Sequence, residues 1–306
     1  MIIGNIGNFS ALRGRFIATV GMFDGVHLGH RRVIERLNRE AQSRGLEPIV
    51  VTFDRHPRIV LGKADNGFRL LSTADERGAL LDEAGAENVA VLHFTPEMAQ
   101  LSTCRFFNDI LVGQLGIRAL LLGYDNMFGN KSAADFDRLP FEAEKNNVGL
   151  LVDEALRLDG VEVSSTQIRK ALAAGDISSA NRMLGHPYSV DGVVVPGRRV
   201  GRTIGFPTAN VVASDRLKAL PADGVYAVNA MVDGHRYAAM ANIGPQPTFG
   251  EATTAFEVHI IDYSGDLYGS TVRVEFVRHL RDIVRFDSAK ALQHQLEKDL
   301  NNCRQQ

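Results

Sequence analysis

Two histidines three residues apart, His27 and His30, flank Gly29 in the stretch Gly21-Met22-Phe23-Asp24-Gly25-Val26-His27-Leu28-Gly29-His30. Glycines there let the backbone approach a phosphate closely, and a helix starting just beyond offers free N–H groups and a positive dipole end. Set to one side of such a turn, both imidazoles could hydrogen-bond phosphate oxygens. As cations they could also neutralise charge that grows as a phosphoanhydride breaks. The structural alternative is a tight turn with two partly exposed histidines. Zinc has weak support, because no third or fourth ligand lies nearby.

Three other places carry polar chemistry. In Val163-Ser164-Ser165-Thr166-Gln167-Ile168-Arg169, hydroxyls open a helix and an arginine follows, a set suited to phosphate oxygens. The same residues also read as an ordinary N-cap. Gly197 to Asn210 combines glycines with Arg198, Arg199 and Arg202 and ends Pro207-Thr208-Ala209-Asn210. It reads as a phosphate cradle or as a flexible basic hairpin loop, and it contains no GxxxxGK[ST] motif. Glu257 lies in Thr254-Ala255-Phe256-Glu257-Val258-His259-Ile260, where alternation puts Phe256, Val258 and Ile260 on one face and Glu257 on the other. Periodicity leaves open whether Glu257 faces solvent or acts as a general base on an alcohol.

The elements that must position these residues fall into two textures. Apolar strands are expected over Phe16–Val20, Pro48–Phe53, Asn88–Phe94 and Ala119–Gly123. Helices over His30–Ser43, closed by Gly45, and over Cys104–Leu115 separate them. That alternation predicts a Rossmann-like α/β fold, a parallel sheet covered on both faces, with ligands at the carboxyl ends of its strands. Helices over Ser164–Ala173 and Ile177–Leu184 come next, and Gly185-His186-Pro187 ends the helical pattern. Five β-like segments follow at Tyr188–Val195, Val225–Val232, Tyr237–Ile243, Thr254–Ile261 and Thr271–Phe276, and then an amphipathic helix over Ser288–Asn301. Closely spaced strands with Gly and Pro between them predict an antiparallel barrel or sandwich.

Length and composition fit this division. The chain has 306 residues, 45% hydrophobic and 23% charged, long enough for two cores. A net charge of −2 supplies no bulk field for nucleic acid. Cys104 and Cys303, the 2 cysteines, form no CxxC pattern. No leader segment or membrane-spanning apolar run is evident, so a cytoplasmic protein is expected.

The string Phe23-Asp24-Gly25-Val26-His27-Leu28-Gly29-His30 resembles the HxGH signature of nucleotidylyltransferases. Across nearly its whole length, the chain resembles the prokaryotic bifunctional riboflavin kinase/FMN adenylyltransferases, the FAD synthetases. Residues 21–30, 164–197, 201–210, 222–228, 242–250 and 256–269 carry the likeness in family order. The resemblance implies an α/β FMN adenylyltransferase domain over 1–184 and a riboflavin kinase domain over 185–306. The second would be a six-stranded antiparallel barrel with a terminal helix. It implies ATP, riboflavin and FMN as substrates with Mg²⁺ as cofactor, and neither nucleic acid nor membrane as partner.

Carried across by the resemblance, His27 and His30 would steady the triphosphate. Gly21, Phe23, Asp24, Gly25, Gly29, Asp125, Ser165, Thr166 and Arg169 would bind the first ATP. Gly201, Arg202, Gly205, Pro207, Thr208 and Asn210 would bind the second, with Thr208 and Asn210 also on the metal. Glu257 would be the base for the ribityl 5′-hydroxyl, against the solvent-facing reading. His56 and Pro57 are the candidate flavin contacts. The chain departs from the pattern at Asn126 and Met127, beside Asp125, and at Glu162, where many relatives carry a basic residue. The rival readings are a riboflavin kinase with an inactive first domain, and a non-catalytic flavin- or RNA-binding regulator.

Overall fold

The computed structural model describes residues 2–4, 15–62, 64, 67–124, 128–129, 136–197, 205–246 and 253–304. By contacts the chain forms two compact units, Met1–Phe68 with Ala74–Val163, and Arg69–Thr73 with Ser164–Gln306.

The first unit is built on a six-stranded parallel sheet in the order β1-β4-β3-β2-β5-β6. Its strands are β1 (Ile2–Gly4), β2 (Phe16–Val20), β3 (Glu47–Phe53), β4 (Val89–Leu92), β5 (Ile117–Leu122) and β6 (Gly149–Val152). Helices α1 (Leu28–Arg44), α2 (Pro57–Val60), α3 (Ala74–Glu83), α4 (Pro96–Ala99), α5 (Thr103–Arg105) and α6 (Leu139–Lys145) connect them. A short hairpin of β7 (Arg157–Leu158) and β8 (Val161–Glu162) follows β6. Sheet residues alternate between two cores. Ile17, Val50, Ala119 and Leu121 pack under α1, with Ile34, Leu37 and Ala41. Ala18, Val20, Ile49, Val51 and Leu120 pack on the other face with Phe106, Phe107 and Ile110. Burial on both faces explains why these strands read as continuous apolar runs.

Two details differ from the sequence reading. The segment expected as one α-helix over Cys104–Leu115 is a short α-turn followed by a π-helix at Phe106–Val112. Phe106, Phe107, Ile110 and Leu111 are all buried, and a side-chain pattern of that spacing fits either winding. Strands β1 and β6, edge strands of three and four residues, are absent from the sequence reading. Gly45 does close α1, at φ 60° and ψ 38°, with its N–H on the Ala41 and Gln42 carbonyls.

The second unit centres on a closed barrel in the order β10-β13-β12-β11-β14-β9. Its strands are β9 (Tyr188–Val195), β10 (Ala209–Ala213), β11 (Gly224–Val232), β12 (His235–Gln246), β13 (Thr253–Ile260) and β14 (Thr271–Arg281). Every adjacent pair is antiparallel. The strand missing from the sequence reading is β10, whose start lay inside the stretch read as a loop. Phe276 is fully buried, 5.9 Å from Phe256 and 5.5 Å from Tyr226, ring to ring. Helices α7 (Ser165–Ala173) and α8 (Ile177–Leu184) pack in this unit, α8 against β9 and β14. Helix α9 (Ala289–Cys303), capped by Ser288, lays Leu296, Leu300 and Cys303 over Val225, Ala227 and Met240.

Candidate functional sites

In the first sheet β2 is flanked by β3 on one side and β5 on the other. The chain therefore reverses its strand order at β2, and the loop leaving it opens at the switch point where such sheets bind ligands. That loop is the glycine- and histidine-rich turn. Its backbone is held in an uncommon conformation: φ is 49° at Phe23, 81° at Gly25 and 38° at Val26. Positive φ at a β-branched residue is strained by about 1–3 kcal/mol. Burial of Phe23 and Val26, at 2% and 0% exposure, holds the turn in this shape.

His27 is the N-cap of α1, and its Nδ1 accepts from the His30 backbone N–H at 3.3 Å. The rings of His27 and His30 stack 3.6 Å apart. Burial, and secondarily the neighbouring His27, hold the His30 imidazole well below its ordinary pKa. His30 is therefore neutral at physiological pH, which favours hydrogen bonding over charge neutralisation there. Its Nδ1 is buried without a hydrogen-bond partner. A Cβ at Gly29 would lie 3.1 Å from the His27 ring, so the glycine leaves room for this pair.

Asp24 is buried beside Arg77, itself buried and donating to the Phe53 carbonyl at 2.6 Å. Burial lowers the Arg77 pKa, while Asp24 and Asp54 oppose that shift. Asp24 is thus part of the turn's foundation. At the end of β3, His56 caps α2 by accepting from the Arg58 N–H at 3.2 Å, and Pro57 occupies its first turn. The His56 ring lies 4.6 Å from Phe68. Asp125, Asn126 and Met127 lie outside the described residues. Glu162 sits in register opposite Arg157 across the β7–β8 hairpin.

In the second unit, Ser164 caps α7 by accepting from the Gln167 N–H at 3.4 Å. The N-cap reading holds for Ser164, which leaves Ser165 and Thr166 in the first turn of the helix. Arg169 donates through Nε to the Arg69 carbonyl at 2.7 Å.

On the barrel, Gly201 and Arg202 lie outside the described residues; Gly205 has φ 84°. Register places Asn210 of β10 and Asn242 of β12 directly on either side of Glu257. The three share the outer face of the wall, opposite the buried Phe256 and Val258. Thr208 Oγ1 donates to Glu257 Oε2 at 3.4 Å. Glu257 is half-buried, so alternation gave its face correctly but not its surroundings. A Cβ at Gly197 would fall 1.9 Å from Asn210 Nδ2, which shows how closely that amide rests on the glycine. On the face of Val258 and Ile260, opposite this row and reached past Thr208, a cavity of about 410 Å³ is lined by Val194, Pro207, Thr208, Ala209, Val258, Ile260 and the Tyr263–Tyr268 loop. Among the described residues no three His, Cys, Asp or Glu side chains gather to hold a metal. Any ion here would rest on hydroxyl, amide and single-carboxylate oxygens.

Sequence reasoning missed Asn242 and His259. Asn242 emerges only from strand pairing. His259 was legible as the next residue after Glu257 on the same face, but its partner was not. Its Nδ1 donates to the Pro207 carbonyl at 2.7 Å.

A phosphate-type turn at a sheet switch point, with a hydroxyl–amide–carboxylate row on a closed barrel, defines a two-unit transferase. Family models agree. One described as riboflavin kinase matches residues 184–306, and one described as FAD synthetase matches 10–167. The chain is 37% identical to the bifunctional riboflavin kinase/FMN adenylyltransferase of Pseudomonas fluorescens, over 94% of this chain and 92% of that one. It is 34% identical to the Bacillus subtilis protein of the same name, over 94% and 91%. A solved structure described as a macrolide-efflux protein from Streptococcus pneumoniae is 32% identical, covers 99% of both chains and superposes with a TM-score of 0.87. Among the described residues of the present chain, no helix is long and apolar enough to cross a membrane. The chain belongs to the bifunctional riboflavin kinase/FMN adenylyltransferase family. It is an enzyme of FMN and FAD biosynthesis, a kinase and a nucleotidyltransferase.

Proposed function

We propose that the two reactions of the family divide between residues 185–306 and 1–184 of this chain. In the first, ATP phosphorylates riboflavin to FMN and ADP; in the second, another ATP adenylylates FMN to FAD and pyrophosphate. The spans of the two family models support the division.

In the barrel, Glu257 takes the proton of the ribityl 5′-hydroxyl as its oxygen attacks the γ-phosphorus and ADP leaves. The observation that carries this role is the row Asn210–Glu257–Asn242, with Thr208 bonded to the carboxylate. Thr208 and Asn210 supply hard oxygen donors, the kind a magnesium ion takes when substrate phosphates complete its shell. That ion would supply charge neutralisation at the phosphates. By the family resemblance, Gly201, Arg202, Gly205 and Pro207 would bind the phosphates, and Pro207 also lines the 410 Å³ cavity.

In the α/β unit, an FMN phosphate oxygen attacks the α-phosphorus and pyrophosphate departs. His27 and His30 steady the triphosphate by hydrogen bonding, and His27 also fixes the turn as the N-cap of α1. Gly21, Phe23, Asp24, Gly25 and Gly29 form the close-approach backbone. By the family resemblance, Asp125, Ser165, Thr166 and Arg169 would also contact ATP, and His56 and Pro57 the flavin. The positive-φ turn at the switch point supports this assignment. Two cysteines in no disulfide, and the use of ATP, suit a cytoplasmic enzyme with small-molecule substrates.

The test is a paired assay of purified protein with Mg²⁺ and ATP. Riboflavin as starting substrate should yield FMN and then FAD, and FMN should yield FAD with pyrophosphate. No FMN from riboflavin would overturn the kinase assignment. No FAD from FMN would leave a riboflavin kinase alone.

A further inference from the structure

We propose that His259 is a positioning residue for the kinase reaction, tethering the Pro207–Thr208 segment so that Thr208 stays against Glu257. The inference rests on the riboflavin kinase reading of the barrel.

His259 follows Glu257 by two residues on β13, so both side chains lie on the outer face of the wall. The strand is fixed on that stretch by pairing with β12, His259 opposite Met240 and Glu257 opposite Asn242. The imidazole therefore projects from a rigid element. Its partner is a segment with little support of its own. Among the described residues, Phe206, Pro207 and Thr208 make no backbone–backbone hydrogen bond before β10 begins at Ala209. Pro207 has no N–H to give, and its carbonyl can only accept. The 2.7 Å contact therefore requires a proton on His259 Nδ1, which fixes the tautomer of the neutral ring. The Phe206 ring adds a tilted contact at 5.6 Å.

One residue beyond the tethered carbonyl, the Thr208 hydroxyl reaches Glu257 Oε2 at 3.4 Å. Pro207 and Thr208 also line the cavity, which His259 does not. His259 thus acts from the same face as Glu257, holding the Pro207 carbonyl so that the neighbouring Thr208 hydroxyl stays on the carboxylate. Loss of the tether should let Thr208 drift from Glu257 and weaken productive seating of the nucleotide while leaving the base itself intact.

The experiment uses the full-length chain with His259→Asn, which keeps a donor near the Nδ1 position, and His259→Leu, which removes it. Riboflavin kinase kinetics are taken with MgATP varied, and adenylyltransferase kinetics from FMN and ATP serve as control. Hydrogen exchange of the peptide covering 205–210 gives a readout independent of turnover. His259→Leu should lower kinase kcat/KM for ATP about tenfold, mostly through KM, the size expected for one net hydrogen bond. It should also speed exchange in that peptide. His259→Asn should restore both to within about threefold, and adenylyltransferase rates should not change. Unchanged exchange in His259→Leu, equal impairment of both variants, or a matching fall in adenylyltransferase activity would each overturn the proposal. A wild-type protein that makes no FMN, yet shows the exchange difference, would sink the kinase reading and keep the tether.

Discussion

Replacing Glu257 by Gln removes a proton acceptor while keeping the size and one oxygen of the side chain. Its structural consequences can be bounded. The residue sits on the outer face of β13, half-buried, and its backbone stays paired with Asn210 and Asn242. The interior stack of Phe256 on Phe276 at 5.9 Å is untouched. The amide oxygen can still accept from Thr208, so among the described residues the change is confined to the charge on a 3.4 Å bond. Stability should change by less than about 0.5 kcal/mol, a shift of roughly 1–2 °C in Tm. Catalysis should change far more, because positioned general bases contribute about 10²–10⁴-fold. We expect riboflavin kinase kcat to fall by about that factor, with KM for ATP and riboflavin within about threefold and FAD formation from FMN unchanged. The measurement is initial FMN formation by chromatography, with the FMN-to-FAD reaction of the same preparation as control. A variant that phosphorylates riboflavin within threefold of the wild-type rate would refute the base assignment.

Gly197→Ala should displace the Asn210 amide, since the new Cβ would lie 1.9 Å from Nδ2; kinase activity should drop about tenfold or more while FAD formation from FMN persists. Arg281→Met takes the charge partner and its 2.8 Å bonds from the Asp299 carboxylate, which is 2% exposed, leaving it the 2.9 Å bond from Gln295 Nε2. The loss should be about 3–5 kcal/mol, read as a lower thermal midpoint of the barrel unit and freer exchange in α9; a midpoint within 2 °C of wild type would contradict it. Because the folded-state pKa of His30 is depressed below 6.5, the unfolded chain binds this proton more readily. The His30 contribution is therefore intact above that value and is lost as pH falls through it. Urea unfolding between pH 7.5 and 5 should show less acid sensitivity in His30→Asn than in wild type.

Much of this protein is legible from one-dimensional pattern. Continuous apolar runs between amphipathic helices give a parallel sheet, because strands buried on both faces have no polar side to show. Gly45 marked the end of α1, since a left-handed cap favours glycine. The alternation Phe256-Glu257-Val258 gave the correct barrel face. By contrast β10 was hidden in a Gly- and Arg-rich stretch, and its strand character comes from pairing with β9 and β13 rather than from local propensity. The π-helix at Phe106–Val112 was equally hidden, because its buried positions suit an α-helix as well.

The sequence by itself determined which groups are available: paired histidines on a glycine turn, hydroxyls at a helix start, a Thr–Asn pair and a lone Glu on a strand. It could do so because residue type and short-range spacing are local properties. Tertiary structure alone decided what surrounds them. The stacking that helps keep His30 neutral arises because the turn is forced through positive φ by the burial of Phe23 and Val26. Whether Glu257 meets solvent or a hydroxyl depends on strand pairing, which brings Asn210 beside it from a strand distant in sequence and Asn242 from the strand just before. Neither result can be read from alternation, because pKa and proton acceptance depend on neighbours that only chain closure supplies.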